Sequence, residues 1–471
     1  MPDDTLPAAG SKQTPGDASK GPLHPVRFVT AAALFDGHDA AINIMRRILQ
    51  AQGAEVIHLG HNRSVDEVVT AAIQEDAHGI AVSSYQGGHV EYFKYMIDLL
   101  RERGRPDIAV FGGGGGVIVA GEVKDLEAYG MTRVYSPEDG RRLGLQGMIA
   151  DMIQTARRDL SADLPQDLGG LKASDPADLA RVITAIEDGR LPKPLLKELN
   201  AIAQSRDTVP VLGITGTGGA GKSSLTDEIV RRFRFGSGEP RIAVVAIDPT
   251  RRKTSGALLG DRIRMNANNA PNVFFRSLAT RDAKTEVPPA LADIIAAVKA
   301  AGADIVIIET PGIGQGDAGI VPFCDVSLYV MTPEFGAASQ LEKIDMLDFA
   351  DVIVINKMDR KGAMDALRDV RKQVQRNREA FGAKPDDMPV FGAIASRFND
   401  IGVTAVYQEL LSQFTAKGFP ALPHQLPSVA VRASEPGQAI VPPDRQRYLA
   451  EIAQEVRGYL ARAEEIGRVH V

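Results

Sequence analysis

The chain has 471 residues, enough for two or three domains, so its length sets no limit on burying a core. Its net charge of −6 and the lack of a dense basic run give no reason to expect nucleic-acid binding. A single cysteine, Cys324, excludes an internal disulfide, and no apolar run reaches the ~20 residues of a membrane span, so the composition predicts a cytoplasmic protein without a membrane segment.

The N-terminal part of the chain predicts a doubly wound α/β domain. Residues 1–25 are rich in Pro, Gly, Ser, Lys and Asp and are expected to form a disordered tail, not a signal peptide. From residue 26 to 148, strands and helices alternate at short spacing, which predicts a flavodoxin-like parallel sheet with its ligand at the C-terminal strand ends. The predicted elements are strands Arg27–Leu34, Ala54–Leu59, Gly79–Ser83 and Ile108–Phe111 and helices Ala40–Gln52, Val65–Asp76, Val90–Arg103 and Gly121–Ala128.

Three loops at that sheet edge carry residues that suit a large metal-containing cofactor. Asp36 and His38 follow the first strand; imidazole is a good ligand for a transition metal, and a nearby carboxylate can hold its other nitrogen. Taken alone, His38 could equally be an ordinary loop residue, and the glycine run that follows the fourth strand could be a flexible loop. The candidate cofactor-binding residues are Asp36, His38, Ser83, Tyr85, Gly112, Gly113 and Gly114.

A helical linker and a C-terminal extension flank a second alternating region. Residues 149–205 contain two helical patterns with no strand between them, and residues 420–471 read as a proline-rich loop followed by a charged helix. That last helix is a solvated face, a packing arm or the contact of a homodimer. The predicted helices are Ala177–Asp188, Pro194–Gln204 and Arg445–Ile466.

The second region, residues 206–419, opens with a complete phosphate-binding loop. Strand Val209–Ile214 precedes the motif and helix Leu225–Arg232 follows it, a context that separates a functional loop from a chance cluster of glycines. Backbone N–H groups of such a loop cradle phosphate oxygens, while Lys222 adds a charge over the β- and γ-phosphates and Ser223 offers a hydroxyl to Mg²⁺. The candidate residues are Gly216, Gly218, Gly219, Ala220, Gly221, Lys222, Ser223 and Ser224.

A second motif predicts that the bound base is guanine. Asn356, Lys357 and Asp359 follow the buried strand Val352–Ile355, and Asn356 is expected to contact the base edge. A carboxylate only accepts hydrogen bonds, so Asp359 matches the N1–H and N2–H₂ donors of guanine and not adenine. Downstream of a complete phosphate loop, this motif disfavours a small-molecule kinase and favours a GTPase.

Acidic residues are expected to complete a magnesium site. Asp248 and Glu309 each end or follow a buried strand, and Asp261 and Arg264 lie between them. Hard Mg²⁺ prefers carboxylate, hydroxyl and phosphate oxygens, although Asp248 could be a turn residue and Asp261 a surface charge. We assign Lys222, Asp248 and Glu309 as catalytic, Ser223, Asp248, Asp261 and Glu309 as magnesium ligands, and Arg264 as nucleotide-binding.

The water-positioning residue of small GTPases has no direct counterpart in the chain. Ile313 follows Gly312, where most small GTPases have glutamine, and the next glutamine is Gln315. The hypothesis is that intrinsic hydrolysis is slow until a partner or a rearrangement completes the site.

The N-terminal constellation resembles the cobalamin-binding domains of the base-off/His-on type. The matching pieces are the Asp-x-His motif, Ser83-Ser84-Tyr85 and the glycine run, with Ala41 and Tyr85 in place of the family's glycine and leucine. The resemblance implies that His38 is the lower axial ligand to the cobalt of adenosylcobalamin and that Asp36 orients it. It also implies that Ser83 and the glycines house the displaced nucleotide tail.

The second region resembles the G-protein chaperones of methylmalonyl-CoA mutase, and the domain order resembles that of the fused isobutyryl-CoA mutase family. This implies a GTPase that gates loading and protection of adenosylcobalamin for an acyl-CoA mutase substrate domain, in cis or in trans. The chain itself ends before such a domain, so we expect no isomerase activity from it alone.

Two segments are candidates for coupling cofactor and nucleotide binding. Asp261–Met265 is one; Glu334–Lys343, which resembles the family's switch loop but also fits a plain helix start, is the other. The alternative function is a metabolic GTPase whose flavodoxin-like domain binds a partner and no cobalamin.

Overall fold

A computed structural model describes residues 25–169, 171, 175–235, 239–251, 253–281, 287–312, 318–335, 341–435 and 448–469. The predicted tail (apart from Pro25), Gln315 and the middle of the Glu334–Lys343 segment lie outside these residues. Within the described ranges, no helix has both the length and the apolar character needed to cross a membrane.

Parallel strands form the first sheet, in the order β5-β4-β3-β1-β2-β8, which confirms the predicted doubly wound class. Helices cover both faces of the sheet, so every residue of β1 is buried. The N-terminal elements are β1 (Arg27–Ala33), α1 (Asp39–Ala51), β2 (Glu55–Arg63), α2 (Val65–Gln74), β3 (Gly79–Ser83), α3 (His89–Glu102), β4 (Ala109–Gly113), α4 (Ala120–Tyr129), β5 (Arg133–Tyr135) and α5 (Pro137–Ala156).

The fourth strand extends further than predicted. β4 runs through Gly113, which pairs with Ser83 of β3, so the turn itself begins at Gly114. Ladder hydrogen bonds come from the backbone, so two glycines can continue a strand despite their poor strand propensity.

Helix α5 crosses the predicted domain boundary at residue 148. It is broken at Gly144, whose φ of 64° and ψ of 167° are not helical. Beyond it, the predicted linker contains α6 (Pro176–Glu187) and α7 (Lys193–Gln204). The boundaries of the domains stay a prediction.

The second sheet is parallel throughout, in the order β13-β12-β11-β6-β10-β7-β9. Strand β6 lies in its middle, so the loop that follows it emerges at the centre of the C-terminal edge. The elements are β6 (Val211–Gly216), α8 (Lys222–Arg234), β7 (Ile242–Asp248), β8 (Ala257–Leu259), β9 (Val273–Ala279), α9 (Leu291–Ala300), β10 (Ile305–Glu309), β11 (Val326–Met331), α10 (Met346–Phe349), β12 (Val352–Asn356), α11 (Ala363–Asn377), β13 (Val390–Ala393), α12 (Ile401–Ala416) and α13 (Tyr448–Val469).

Strand β8 belongs to the second region in chain order but to the first sheet in space. It pairs in parallel with β2, with Val56 opposite Leu258 and Ile57 opposite Leu259. A three-residue strand is too short to show a periodic pattern, so it could not be predicted from the sequence.

A buried ionic cluster joins the two regions. Arg27 on β1 contacts Glu55 at 2.7 Å, and Arg276 on β9 contacts Glu187 of α6 at 2.6 Å. Unpaired charges are costly to bury, so these groups occur as a balanced set. The cluster comprises Arg27, Arg262, Arg276 and Arg281 together with Glu55, Glu75, Glu187 and Asp188.

Candidate functional site

The phosphate-binding loop connects β6 to α8 through a tightly packed turn. Gly216 has a φ of 149°, and a Cβ atom there would overlap the backbone of Val330, so only glycine fits. The loop borders a cleft of about 1000 Å³ at the N-terminus of α8. The predicted residues that line this cleft are Gly218, Gly219, Gly221, Lys222, Ser223, Ser224, Asp248, Asp261, Arg264, Glu309 and Lys357.

Two acidic side chains converge on the hydroxyl of Ser223. Its Oγ lies 2.8 Å from Glu309 Oε1 and 3.0 Å from Asp261 Oδ1. Burial, reinforced by the charge of Asp261, raises the pKa of Glu309 to about 8. Burial also raises the pKa values of Asp248 and Asp261, and the charge of Asp261 adds to the effect on Asp248. Carboxyls crowded in this way favour a cation among them.

The acids do not form a closed metal cage by themselves. Among the described residues, no three His, Cys, Asp or Glu side chains are arranged to hold a metal ion. This fits Mg²⁺, which usually takes one or two protein ligands and completes its shell with water and phosphate oxygens. Arg264 lies beside the acids, with its Nη1 3.5 Å from Asp261 Oδ1 and its side chain mostly exposed.

Two side chains of the predicted guanine motif form hydrogen bonds with the backbone of the phosphate loop. Asn356 is buried, donates from Nδ2 to the carbonyl of Ala220 at 2.8 Å, and accepts from the N–H of Ala395 at 3.0 Å. Lys357 Nζ donates to the carbonyl of Gly219 at 2.6 Å, and Asp359 is exposed. The structure therefore places Asn356 as a brace between the phosphate loop and the loop after β13, and its contact with the base stays a prediction.

At the edge of the first sheet, a buried carboxylate orients an exposed imidazole. Asp36 Oδ1 lies 2.9 Å from His38 Nδ1, and Asp36 Oδ2 accepts the backbone N–H of Tyr85 at 2.6 Å. Burial alone would raise the pKa of Asp36, but the hydrogen bonds from Tyr85 and His38 outweigh it and lower that pKa. The His38 side chain is 66% exposed while Asp36 is fully buried, so the ring is held at one nitrogen and open at the other.

A cavity of about 870 Å³ opens between this sheet, α1 and α5. Its lining includes Ser83, whose buried Oγ has no hydrogen-bond partner among the described residues. Gly114 lies so close to Ser84 that a Cβ atom would overlap the Ser84 carbonyl. The predicted residues along the cavity are Ser83, Tyr85, Gly112, Gly113 and Gly114, together with Ala41.

Two parts of the sites were missed from the sequence. The apolar wall of the cavity includes Met148, Ile149 and Met152 of α5, whose i, i+1, i+4 spacing was the available signal. The loop after β13, which contains Ala395, braces Asn356, and its only signal was a buried strand that ends in small residues.

Comparison with known proteins agrees with this division of the chain. The family described as "Methylmalonyl Co-A mutase-associated GTPase MeaB" matches residues 179–416, and the "B12 binding domain" family matches residues 26–132. A putative GTPase of Pyrococcus horikoshii is 38% identical over 195 residues, covering 41% of this chain and 60% of that protein.

Longer relatives match almost the whole chain. It is 64% identical over 446 residues to the fused isobutyryl-CoA mutase of Cupriavidus metallidurans. It is 61% identical over 445 residues to the fused isobutyryl-CoA mutase of Nocardia farcinica. Each alignment covers 94% of this chain but only 41% of the relative, so the chain spans about two fifths of those proteins.

Proposed function

Because this chain belongs to the methylmalonyl-CoA mutase-associated GTPase MeaB family and carries a B12-binding domain, we propose that it gates the loading and protection of adenosylcobalamin by binding and hydrolysing GTP. The domain that would receive the cofactor is an acyl-CoA mutase substrate domain, in cis or in trans; the similarity to fused isobutyryl-CoA mutases supports this. GTP and acyl-CoA are cytoplasmic metabolites, so we place this function in the cytoplasm.

The pairing of Asp36 with His38 carries the cobalamin part of the proposal. An ionised Asp36 accepts the proton on Nδ1, which leaves the lone pair of Nε2 free on the exposed side of the ring. His38 is therefore the residue that would hold the cobalt of the cofactor, in the base-off/His-on form, and Asp36 would orient its ring. Ser83 and the glycines at the cavity are the groups that would hold the nucleotide tail, since no residue in the described part of the chain bonds the Ser83 hydroxyl and the glycine backbone leaves room. When bound, adenosylcobalamin supplies a cobalt–carbon bond that starts radical chemistry.

For GTP, we assign the phosphates to the loop around Lys222 and magnesium to the cluster of Ser223, Asp248, Asp261 and Glu309, of which one or two carboxylates would bind the ion directly and the others through its waters. The carboxyls at Asp248, Asp261 and Glu309 would ionise as Mg²⁺ enters, because the cation offsets their mutual repulsion. Lys222 and the helix N-terminus would then stabilise the charge that develops on the transferred phosphoryl group.

The segment from β8 to Arg264 is our proposed coupling element. Asp261 contacts Ser223 in the nucleotide site, while the adjacent Arg262 donates to Gln74 at 2.7 Å, at the end of α2 in the first region, and to Glu75 at 3.3 Å, just beyond that helix. A ligand that moves Asp261 therefore changes contacts of the cobalamin-binding domain, and the effect on affinity is reciprocal.

An anaerobic titration with adenosylcobalamin, followed by visible absorbance, tests the cobalamin assignment. Wild type is expected to show the spectrum of histidine ligation; His38→Ala should lose it, and Asp36→Asn should weaken it. His61→Ala is the matched control because His61 is an exposed histidine of the same domain. Absence of a spectral change in wild type would favour a metabolic GTPase whose first domain binds a partner.

A further inference from the structure

A short segment that follows α12 in the chain lies against the outer edge of the second sheet. Residues 431–435, which we name the C-terminal strap, pair with the edge strand β13. The N–H of Gly392 donates to the carbonyl of Arg432 at 2.9 Å, and the N–H of Ser434 donates to the carbonyl of Gly392 at 3.0 Å. The strap thus covers backbone groups that an edge strand would otherwise expose.

The strap is anchored by a buried side chain. Ser434 is fully buried, donates from Oγ to Asp400 Oδ1 at 2.6 Å, and accepts the N–H of Gly402 at 3.0 Å. The same Asp400 oxygen accepts the N–H groups of Ile394 at 3.1 Å and Val403 at 3.0 Å. One carboxylate oxygen therefore holds together the strap, the loop after β13 and the start of α12.

The loop after β13 also contacts the guanine motif through hydrogen bonds. Ala395, next to Ile394, donates its N–H to Asn356 Oδ1 at 3.0 Å, and Asn356 in turn holds the carbonyl of Ala220 in the phosphate loop. Met358, inside the motif, donates its N–H to the carbonyl of Ala393 at 3.1 Å. Buried hydrogen bonds therefore run from Ser434 through Asp400 to Ile394, and from the next residue, Ala395, to the two loops that are assigned to the nucleotide.

We propose that Ser434 is a positioning residue for guanine-nucleotide binding and that the strap sets the geometry of the base-recognition loop. This rests on the proposed assignment of that loop to guanine. Asp400 is buried, its Oδ2 accepts no hydrogen bond among the described residues, and its nearest ion-pair partner, Arg397, is 4.0 Å away. Loss of the Ser434 donor leaves this buried carboxylate short of a partner, so the loop shifts to recover one.

Ser434→Ala tests the proposal, with Ser327→Ala as its matched control. Ser327 is also buried and its Oγ lies 2.9 Å from Asp351, but it sits near the start of β11, at the sheet edge opposite the nucleotide. GDP affinity is measured on the whole chain by fluorescence of a labelled GDP, with ADP as competitor. Thermal unfolding and steady-state GTP hydrolysis are measured on the same samples.

For Ser434→Ala we expect GDP to bind roughly tenfold more weakly, which is about 1.4 kcal/mol, with a matching rise in KM and kcat within about twofold. Ser327→Ala should lower the unfolding temperature without changing GDP affinity. Arg432→Ala, which removes contacts to the carbonyls of Met388 and Asp386, should weaken GDP binding to a smaller extent.

Wild-type affinity for GDP in Ser434→Ala, or equal weakening in Ser327→Ala, would overturn the inference. Failure of wild type to prefer GDP over ADP would instead overturn the guanine assignment, so the two failures are distinguishable.

Discussion

Each candidate site contains a buried carboxyl with a shifted pKa, and the pKa values of the two, Asp36 and Glu309, are shifted in opposite directions. Hydrogen bonds from Tyr85 and His38 outweigh the burial of Asp36 and lower its pKa, so it is a permanent acceptor for the imidazole. Glu309 is buried beside another acid, and its pKa is raised to about 8. The first carboxyl therefore fixes the orientation of the His38 ring, whereas the raised pKa of the second favours its protonated form near neutral pH.

This difference predicts a pH-dependent stability for the chain stripped of metal and nucleotide. The pKa of Glu309 is about 8 in the folded state against an ordinary 4.5, so the folded state binds more protons between these values and stability falls as pH rises through that window. The expected loss over the whole window is on the order of 5 kcal/mol, because the shift exceeds three pKa units and one unit corresponds to about 1.4 kcal/mol. Urea unfolding at several pH values measures it.

Glu309→Gln provides the control, because an amide of similar shape cannot ionise. The variant is expected to show a flatter dependence of unfolding free energy on pH. Equal slopes for the variant and wild type would contradict the assignment of the effect to Glu309.

At the scale of elements, strand β8 links the two halves of the chain, because it comes from the second region and pairs with β2 of the first. Three residues of the nucleotide-side segment extend the first sheet, and Arg262 follows them into a buried contact with the end of α2. The Arg262 guanidinium also lies 5.2 Å from the ring of Phe275. The position of Asp261 therefore depends on a helix of the other region.

Glu75→Gln is expected to slow GTP hydrolysis roughly tenfold, an effect of about 1.4 kcal/mol on the barrier. The substitution leaves Arg262 buried without its ion pair, so Asp261 loses its fixed position next to Ser223. Asp66→Asn is the control, because Asp66 lies at the start of α2, the helix that ends just before Glu75, but forms an exposed ion pair with Arg103. Single-turnover hydrolysis measures both, and equal rates in the two variants would contradict the prediction.

At the scale of the molecule, the buried ionic cluster makes the two sheets one unit. Arg276 lies on β9, while its partners Glu187 and Thr184 lie on α6 and its Nη1 faces the carbonyl of Gln74 on α2. Buried charges stabilise only as a complete set, since removing one partner leaves the others unpaired in a medium of low polarity. Each region therefore depends on the other for its stability.

Arg276→Ala is expected to lower the free energy of unfolding by about 3–5 kcal/mol, because it leaves buried carboxylates without their cationic partner. Arg241→Ala, which removes an exposed ion pair with Asp304, should cost at most about 1 kcal/mol. Urea unfolding followed by circular dichroism compares them, and a small loss for Arg276→Ala would show that the cluster does not hold the regions together.

Local chemistry made much of the molecule predictable. The alternation of apolar strands with helices predicted the fold class that the two sheets confirm, because side-chain burial imposes its period on the sequence. The phosphate loop and the Asp36–His38 pair were recognisable because a few residues, close in the chain, carry the required geometry and donors. The roles of these residues in binding stay predictions.

The sequence by itself determined the two kinds of domain, the phosphate loop and the pairing of Asp36 with His38, since each depends on neighbours along the chain. Only the tertiary structure decided that β8 joins the first sheet, that Asn356 braces two loops, and that Ser434 reaches Asp400. These contacts join residues far apart in sequence through backbone groups and single side chains. Such contacts leave no periodic pattern, and only the packed chain brings them together.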